Sequence, residues 1–158
     1  MEKIWLKSYP EGVAHEVNPE QYRSLTQLLE ESFKQNASRP FSVCMERWMS
    51  YGQLDELSAA FGAWLQSRGL EPGARVAIML PNVPQFAVTM AGVLRAGYTC
   101  VNVNPLYTAR ELEHQLNDAG VETIVVFNGS TPTLAEVRAN TGLKTVITVG
   151  VGDASGAT

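Results

Sequence analysis

The stretch Arg75-Val-Ala-Ile-Met-Leu-Pro-Asn-Val-Pro-Gln-Phe-Ala-Val-Thr-Met-Ala-Gly-Val-Leu-Arg-Ala-Gly-Tyr-Thr-Cys-Val-Asn-Val103 contains the pattern that decides the fold of this chain. It begins with the run 75–80, which is apolar on both sides, as in a parallel strand that is covered on each face. A turn follows, then an apolar helix is predicted over 83–96 and a second strand over 98–103. A strand, a helix and a strand in this order indicate a βαβ unit, in which a crossover helix joins two parallel strands.

The same alternation continues on both sides of this unit. Three capping boxes, in which a hydroxyl residue is followed at the third helical position by Gln or Glu, predict helix starts at Ser24/Gln27, Ser50/Gln53 and Thr108/Glu111. Further strands are predicted over 41–45, 47–50, 123–127 and 144–149, with a short helix over 132–139. We therefore predict an α/β fold of βαβ units with a mostly parallel sheet. The predicted divisions are an irregular N-terminal arm (1–22), an α/β N-terminal subdomain (23–149) and a flexible tail (150–158).

The composition is that of a globular protein and narrows the class of partner. Hydrophobic residues make up 45% of the chain and charged residues 18%, which is too apolar for a disordered segment. The net charge is −4 and no basic run occurs, so no nucleic-acid partner is predicted. Cys44 and Cys100 lie in apolar stretches, which indicates buried, reduced thiols. The apolar stretch 83–103 is broken by polar residues, so we expect a soluble protein, with peripheral membrane contact left open.

The residues themselves predict no catalytic centre. Glu111, His114 and Asp118 share one helical face at i, i+3 and i+7, where they either ligate a metal or form a solvated surface; we favour the surface and predict no metal site. Gly150 and Gly152 follow a predicted strand, but their spacing departs from that of a dinucleotide-binding loop. Neither a nucleophile elbow nor a glycine-rich phosphate loop with a lysine is found along the sequence.

Several stretches match a known superfamily. The first two are Met49-Ser-Tyr-Gly-Gln-Leu-Asp-Glu-Leu-Ser58 and Gly73-Ala-Arg-Val-Ala-Ile-Met-Leu-Pro-Asn82, and they resemble the opening of the acyl-adenylate-forming enzymes. The third, Leu94-Arg-Ala-Gly-Tyr-Thr-Cys-Val-Asn-Val-Asn-Pro-Leu-Tyr107, resembles the first core motif of that superfamily. A narrower resemblance, to the bacterial long-chain fatty-acid–CoA ligases, is carried by the stretches 101–118 and Ile4-Trp-Leu-Lys-Ser-Tyr-Pro10.

This resemblance implies the activity of a longer enzyme. Such ligases join a fatty acid to coenzyme A with ATP and magnesium, through an acyl-adenylate, and release AMP and pyrophosphate. Their phosphate loop with its lysine, their carboxylate for magnesium and their mobile C-terminal domain all follow the region matched here. We therefore expect the N-terminal part of the large domain of an adenylate-forming enzyme, inactive alone and without catalytic, cofactor-binding or metal-binding residues. The implied location is the cytoplasm, with a homodimer and contact with the inner face of the membrane as open alternatives.

Three residues are the candidates for substrate binding. Asn102, Asn104 and Tyr107 come at the carboxyl end of a predicted parallel strand, where ligands of open α/β sheets bind, so one interpretation places them around the acyl or adenylate cavity. The other, which we favour, is structural: the asparagines bond the turn and the tyrosine packs on the following helix. Two further hypotheses for the whole chain are a non-catalytic binding or self-association module and a small nucleotide-binding protein. The second is disfavoured because the turn 80–84 lacks glycine.

Overall fold

Alternating strands and helices follow one another through the part of the chain that the computed structural model describes, residues 2–153. The strands are β1 (Pro40–Cys44), β2 (Arg47–Ser50), β3 (Arg75–Met79), β4 (Thr99–Asn102), β5 (Thr123–Phe127) and β6 (Thr145–Val149). The helices are α1 (Leu25–Asn36), α2 (Tyr51–Ser67), α3 (Pro84–Arg95), α4 (Ala109–Asp118) and α5 (Thr131–Val137). The predicted α/β fold is confirmed. The predicted arm contains a 3-10 helix (Ile4–Ser8), and residues 154–158 of the predicted tail lie outside the described residues.

Strands β3 to β6 form a parallel sheet in the order β4-β3-β5-β6. Val76 of β3 is opposite Cys100 on one side and opposite Thr123 on the other. The connection after β3 leads to the edge strand β4. The next connection crosses back over β3, so that β5 and then β6 lie on the opposite side of β3. The reversal places a topological switch point between β3 and β5, where neighbouring strands send their connections in opposite directions.

Helices cover both faces of this sheet, because the central strands are apolar on both sides. On one face, α2 and α3 pack Leu65 and Val93 onto Ile78 and its neighbours. On the other face, α4 and α5 pack around Leu112. Helix α1 and the β1–β2 hairpin form an additional layer behind α2 and α3, with Phe33 at its centre. No helix within residues 2–153 combines the length and the apolarity that a bilayer crossing requires.

Two of the three predicted capping boxes are confirmed, those of α2 and α4, where both reciprocal hydrogen bonds are present. The box predicted for α1 is wrong in one half. Ser24 Oγ accepts the N–H of Gln27 (3.1 Å), but Gln27 Oε1 accepts the N–H of Arg23 (2.9 Å) instead of that of Ser24. Gln27 Nε2 donates to Glu31 Oε1 (2.7 Å), one turn farther along the helix. The bond to Glu31 orients the Gln27 side-chain amide, and the capping-box pattern, which ends at Gln27, does not include that residue.

Helices α2 and α3 approach closely where two glycines face each other. A Cβ built on Gly62 would lie 2.9 Å from the carbonyl oxygen of Gly92. A Cβ built on Gly92 would lie 2.9 Å from the carbonyl oxygen of Ser58. Since carbon and oxygen atoms do not approach this closely without strain, the missing side chains set the separation of the two helices.

The turn that joins β1 to β2 holds two residues with side chains in the left-handed region. Met45 has φ 48° and Glu46 has φ 63°. Asn-Gly is the pair that suits a two-residue hairpin turn of this kind. Replacement of Met45-Glu46 by Asn-Gly is therefore expected to raise the free energy of unfolding by about 1 kcal/mol, measured by urea denaturation. Met45→Ala is the control, because it removes the exposed side chain without relieving the backbone; equal stabilisation by both changes would contradict the prediction.

Candidate functional site

The site that the topology favours lies at the switch point, outside the carboxyl ends of β3 and β5. Ligands of open α/β sheets bind in the crevice that forms at such a reversal. Its walls are the loop 80–83, which leads from β3 into α3, and the short 3-10 helix Asn128–Ser130, which leads from β5 into α5. Gln85, in the first turn of α3, and Ser130 contribute buried polar side chains, with 7% and 6% of their surface exposed.

Gln85 ties the start of α3 to the segment that follows β6. Its Nε2 donates to the carbonyl oxygens of Gly150 (3.0 Å) and Val151 (3.1 Å). Its Oε1 is buried and has no hydrogen-bond partner in the described part of the chain. The residues after β6 therefore pass over the end of β5 toward α3. Residues 150–151 cover part of the crevice, and the Oε1 atom of Gln85 remains without a hydrogen bond within residues 2–153.

Asn104 bonds its own turn, as the structural interpretation of the sequence expects. Its Oδ1 accepts the N–H of Leu106 (3.0 Å), and its carbonyl oxygen accepts the N–H of Tyr107 (3.1 Å). Tyr107 is partly buried and packs against the core cluster beneath α4 and α5. Ser130 Oγ donates to the carbonyl oxygen of Pro105 (3.1 Å), so the β4–α4 loop is tied to the β5–α5 loop.

Asn102 ends β4, which lies at an edge of the sheet. Its side chain is exposed, while its carbonyl oxygen accepts a bond from Gln115 Nε2 (2.9 Å). The three predicted residues therefore lie at the end of β4 and in the loop that follows it, next to the switch point rather than at it. Gln85 and Ser130, which the sequence did not single out, lie closer to the reversal. Strand order was the missing information, and one sequence contains no direct signal for it.

Glu111, His114 and Asp118 on one face of α4 are the residues for which the sequence left a metal site as an alternative. The carboxylate of Glu111 is used by the helix cap: Oε2 accepts the N–H (2.9 Å) and the hydroxyl (2.7 Å) of Thr108. These bonds hold the pKa of Glu111 below its ordinary value. Within residues 2–153, no three His, Cys, Asp or Glu side chains come together as a metal-ligand group. Glu111 is thus directed toward the helix start and not toward His114.

Cys100 is a weakly reactive thiol, because burial raises its pKa from 9.0 to about 11. Iodoacetamide at pH 8 is expected to alkylate it roughly a hundredfold more slowly in the folded chain than in urea, measured by peptide mass spectrometry. The raised pKa also makes stability depend on pH: the contribution of the thiol is full below about pH 9 and is lost as the pH rises toward 11. Cys100→Ala should remove that dependence; rapid alkylation of native Cys100 would contradict the prediction.

A model of the AMP-binding enzyme family matches residues 29–157. The chain belongs to the AMP-binding enzyme family. Among curated relatives of this family member, the long-chain-fatty-acid–CoA ligase of Escherichia coli O6:H1 is 47% identical over 154 residues, covering 97% of this chain and 28% of the relative. The ligase of Bacillus subtilis (strain 168) is 36% identical over 127 residues, covering 80% and 22%. The chain therefore spans little more than a quarter of the E. coli relative.

Solved structures share the fold of this AMP-binding family member. A long-chain-fatty-acid–CoA ligase from Archaeoglobus fulgidus has a TM-score of 0.72 at 24% identity, covering 80% of this chain and 27% of that one. An anthranilate CoA ligase in complex with anthranoyl-AMP has a TM-score of 0.76 at 20% identity, covering 81% and 25%. The match to the family model and the 47% identity to the E. coli ligase confirm the resemblance carried by the sequence motifs.

The cleft at the start of α3 in this family member is too small for an ATP molecule. The cleft beside Gln85 has a volume of about 20 Å³, room for one water molecule, whereas pockets for small molecules usually have at least about 300 Å³. A larger concave surface, about 570 Å³, lies at the amino end of the sheet. Its Lys144 pairs with Glu122 (2.8 Å), Arg68 is the C-cap residue of α2, where a cation is favourable, and Arg75 is the first residue of β3.

Proposed function

We propose that this chain serves as the N-terminal part of a long-chain fatty-acid–CoA ligase, which converts a fatty acid, ATP and coenzyme A to acyl-CoA, AMP and pyrophosphate. The observation that carries the proposal is the 47% identity to the E. coli ligase, which extends over 97% of this chain. In the longer protein ATP, magnesium and coenzyme A would be the cofactors and the fatty acid the substrate. The chain supplies the first strands and helices of the large domain, on which that site is built.

The residues of this chain contribute structure in the proposal, and no catalytic role is assigned to them. Asn104 closes the β4–α4 turn, Tyr107 anchors it in the core, and Asn102 ends the edge strand. A triphosphate needs amide dipoles, a cation and a metal around its oxygens, because charge develops there as the α-phosphoryl group is transferred. The chain is thus proposed to be inactive when it is alone.

Fatty-acid-dependent exchange of pyrophosphate into ATP tests this proposal. The purified 158-residue chain is expected to give no exchange above a heat-denatured sample. A fusion in which this chain replaces the aligned N-terminal region of the E. coli ligase is expected to restore exchange with a long-chain acid. A folded fusion without activity, or robust exchange by the chain alone, would contradict the proposal.

Location and assembly are further parts of the proposal. We place the longer enzyme in the cytoplasm, with peripheral contact to the inner face of the membrane, because each CH₂ of a long-chain acid favours lipid over water by about 0.8 kcal/mol.

The alternative of a self-association module is supported by the edge strands β4 and β6, whose outer backbone groups lack a strand partner within the sheet. Light scattering after size exclusion at several concentrations tests it; a monomer at all of them ends that alternative.

A further inference from the structure

The β1–β2 hairpin presents an apolar face that nothing in the described chain covers. Val43 and Trp48 are directly opposite each other in the two strands, and 52% and 67% of their surfaces are exposed. Met49, which points to the other face, is 5% exposed and packs in the cluster around Phe33. One face of the hairpin is therefore bound to the helices, and the other carries large apolar side chains in contact with solvent.

The turn extends the same apolar face. Met45 is 75% exposed and is held outward by a backbone with positive φ, which a residue with a side chain adopts only at an energetic cost. Tryptophan and methionine are the residue types that are enriched where proteins meet. A strained turn that presents methionine beside an exposed tryptophan is typical of a surface that is used for contact.

This face continues into the cleft at the start of α3, and together they form what we call the hairpin surface. Its residues are Val43, Met45 and Trp48 on the hairpin, with Pro84, Gln85 and Val151 at the cleft. The buried Oε1 of Gln85 lacks a partner there. Apolar area around a single polar group suits a protein segment rather than a charged ligand.

We propose that the hairpin surface is where the later part of the polypeptide docks in proteins as long as the relatives. This inference rests on the proposed function, in which the chain is one part of a longer ligase. The E. coli relative is covered only to 28%, so most of such a protein is available to dock. The chain also leaves β6 along this surface, because Gly150 and Val151 are bound to Gln85. Glu46 and Arg47 have opposite charges, which disfavours an anionic lipid surface as the occupant.

Oxidation of Met45 by hydrogen peroxide tests the docking, read as methionine sulfoxide by peptide mass spectrometry. In the fusion with the remainder of the E. coli ligase, Met45 is expected to oxidise about tenfold more slowly than in the isolated chain, because docking removes its exposure. Met79, fully buried in β3, is the internal reference for folding. Equal Met45 rates in the two proteins would overturn the proposal, as would protection in the isolated chain that grows with its concentration, which indicates a second copy.

Two tryptophan variants provide a matched pair. Trp48→Ser removes only the cross-strand contact with Val43 from the isolated chain, so it is expected to lower the Tm of the fusion clearly more than that of the isolated chain. Trp64→Ser should lower both alike, because the Trp64 ring stacks on Phe61 within α2. A Trp48→Ser fusion as stable as its parent would overturn the docking proposal. Should the fusion not fold, the isolated chain is mixed with the separately expressed remainder, and unchanged Met45 oxidation at saturation then counts against it.

The two proposals fail in different ways. An active fusion whose Met45 oxidises at the rate of the isolated chain keeps the proposed ligase function and overturns the docking. A folded, inactive fusion in which Met45 is protected keeps the docking and contradicts the function.

Discussion

Gly92→Ala is expected to lower the free energy of unfolding by about 3 kcal/mol, the upper range for overpacking in a core. The new Cβ would lie 2.8 Å from a ring carbon of Phe61 and 2.9 Å from the carbonyl oxygen of Ser58. The ring is able to move, but the carbonyl belongs to the backbone of α2 and moves only with the helix. Both helices cover the same face of the sheet, so their separation disturbs the core beneath them.

Thermal and urea unfolding, followed by circular dichroism, check the size of this effect. Gly142→Ala is the matched control, because its new Cβ would lie 3.8 Å from the carbonyl oxygen of Val121, an ordinary contact. That control should change stability by less than about 0.5 kcal/mol. Gly62→Ala should behave like Gly92→Ala, since its Cβ meets a backbone oxygen at 2.9 Å. A loss below about 1 kcal/mol for Gly92→Ala would contradict the proposed glycine contact.

Arg95→Met is expected to lower the free energy of unfolding by about 2 kcal/mol, because it removes the polar link between α3 and α2. The guanidinium forms an ion pair with Asp55 Oδ1 (2.7 Å) and donates hydrogen bonds to the carbonyl oxygen of Asp55 (2.9 Å) and to Ser58 Oγ (2.9 Å). Its contact with Glu30 of α1 is longer (3.4 Å) and half-exposed, so it contributes little. The methionine also removes the guanidinium that lies over the Phe33 ring, 5.8 Å from its centroid.

Denaturant unfolding with a double-mutant cycle separates the link from its surroundings. Arg138→Met, at an exposed position, controls for the loss of one positive charge and should be close to neutral. Asp55→Asn combined with Arg95→Met should cost clearly less than the sum of the two single changes, since both remove the same bond. Additive losses would show that the two side chains act independently and would contradict the prediction.

At the candidate site, local hydrogen bonds could be predicted from the sequence, whereas contacts between distant residues could not. Asn104 closes its turn as expected, because an asparagine before proline bonds the backbone two residues ahead, a purely local interaction. The role of Gln85 was not predicted. In an apolar helix a glutamine looks like a surface residue, and only the return of the chain after β6 buries it beneath Gly150 and Val151. The unpaired Oε1 follows from that burial.

The sequence by itself determined the elements and the family. Apolar runs, turn residues and caps are local, so they place helices such as α2 and strands such as β3 within a few residues of their observed bounds. The stretches 49–58 and 94–107 carry the resemblance to the family, and both lie within the residues 29–157 that its model matches. Only the tertiary structure decided the strand order, the glycine contact between α2 and α3, and the uncovered hairpin face. Each depends on groups far apart in the chain, whose distances are set by packing and not by neighbours in sequence.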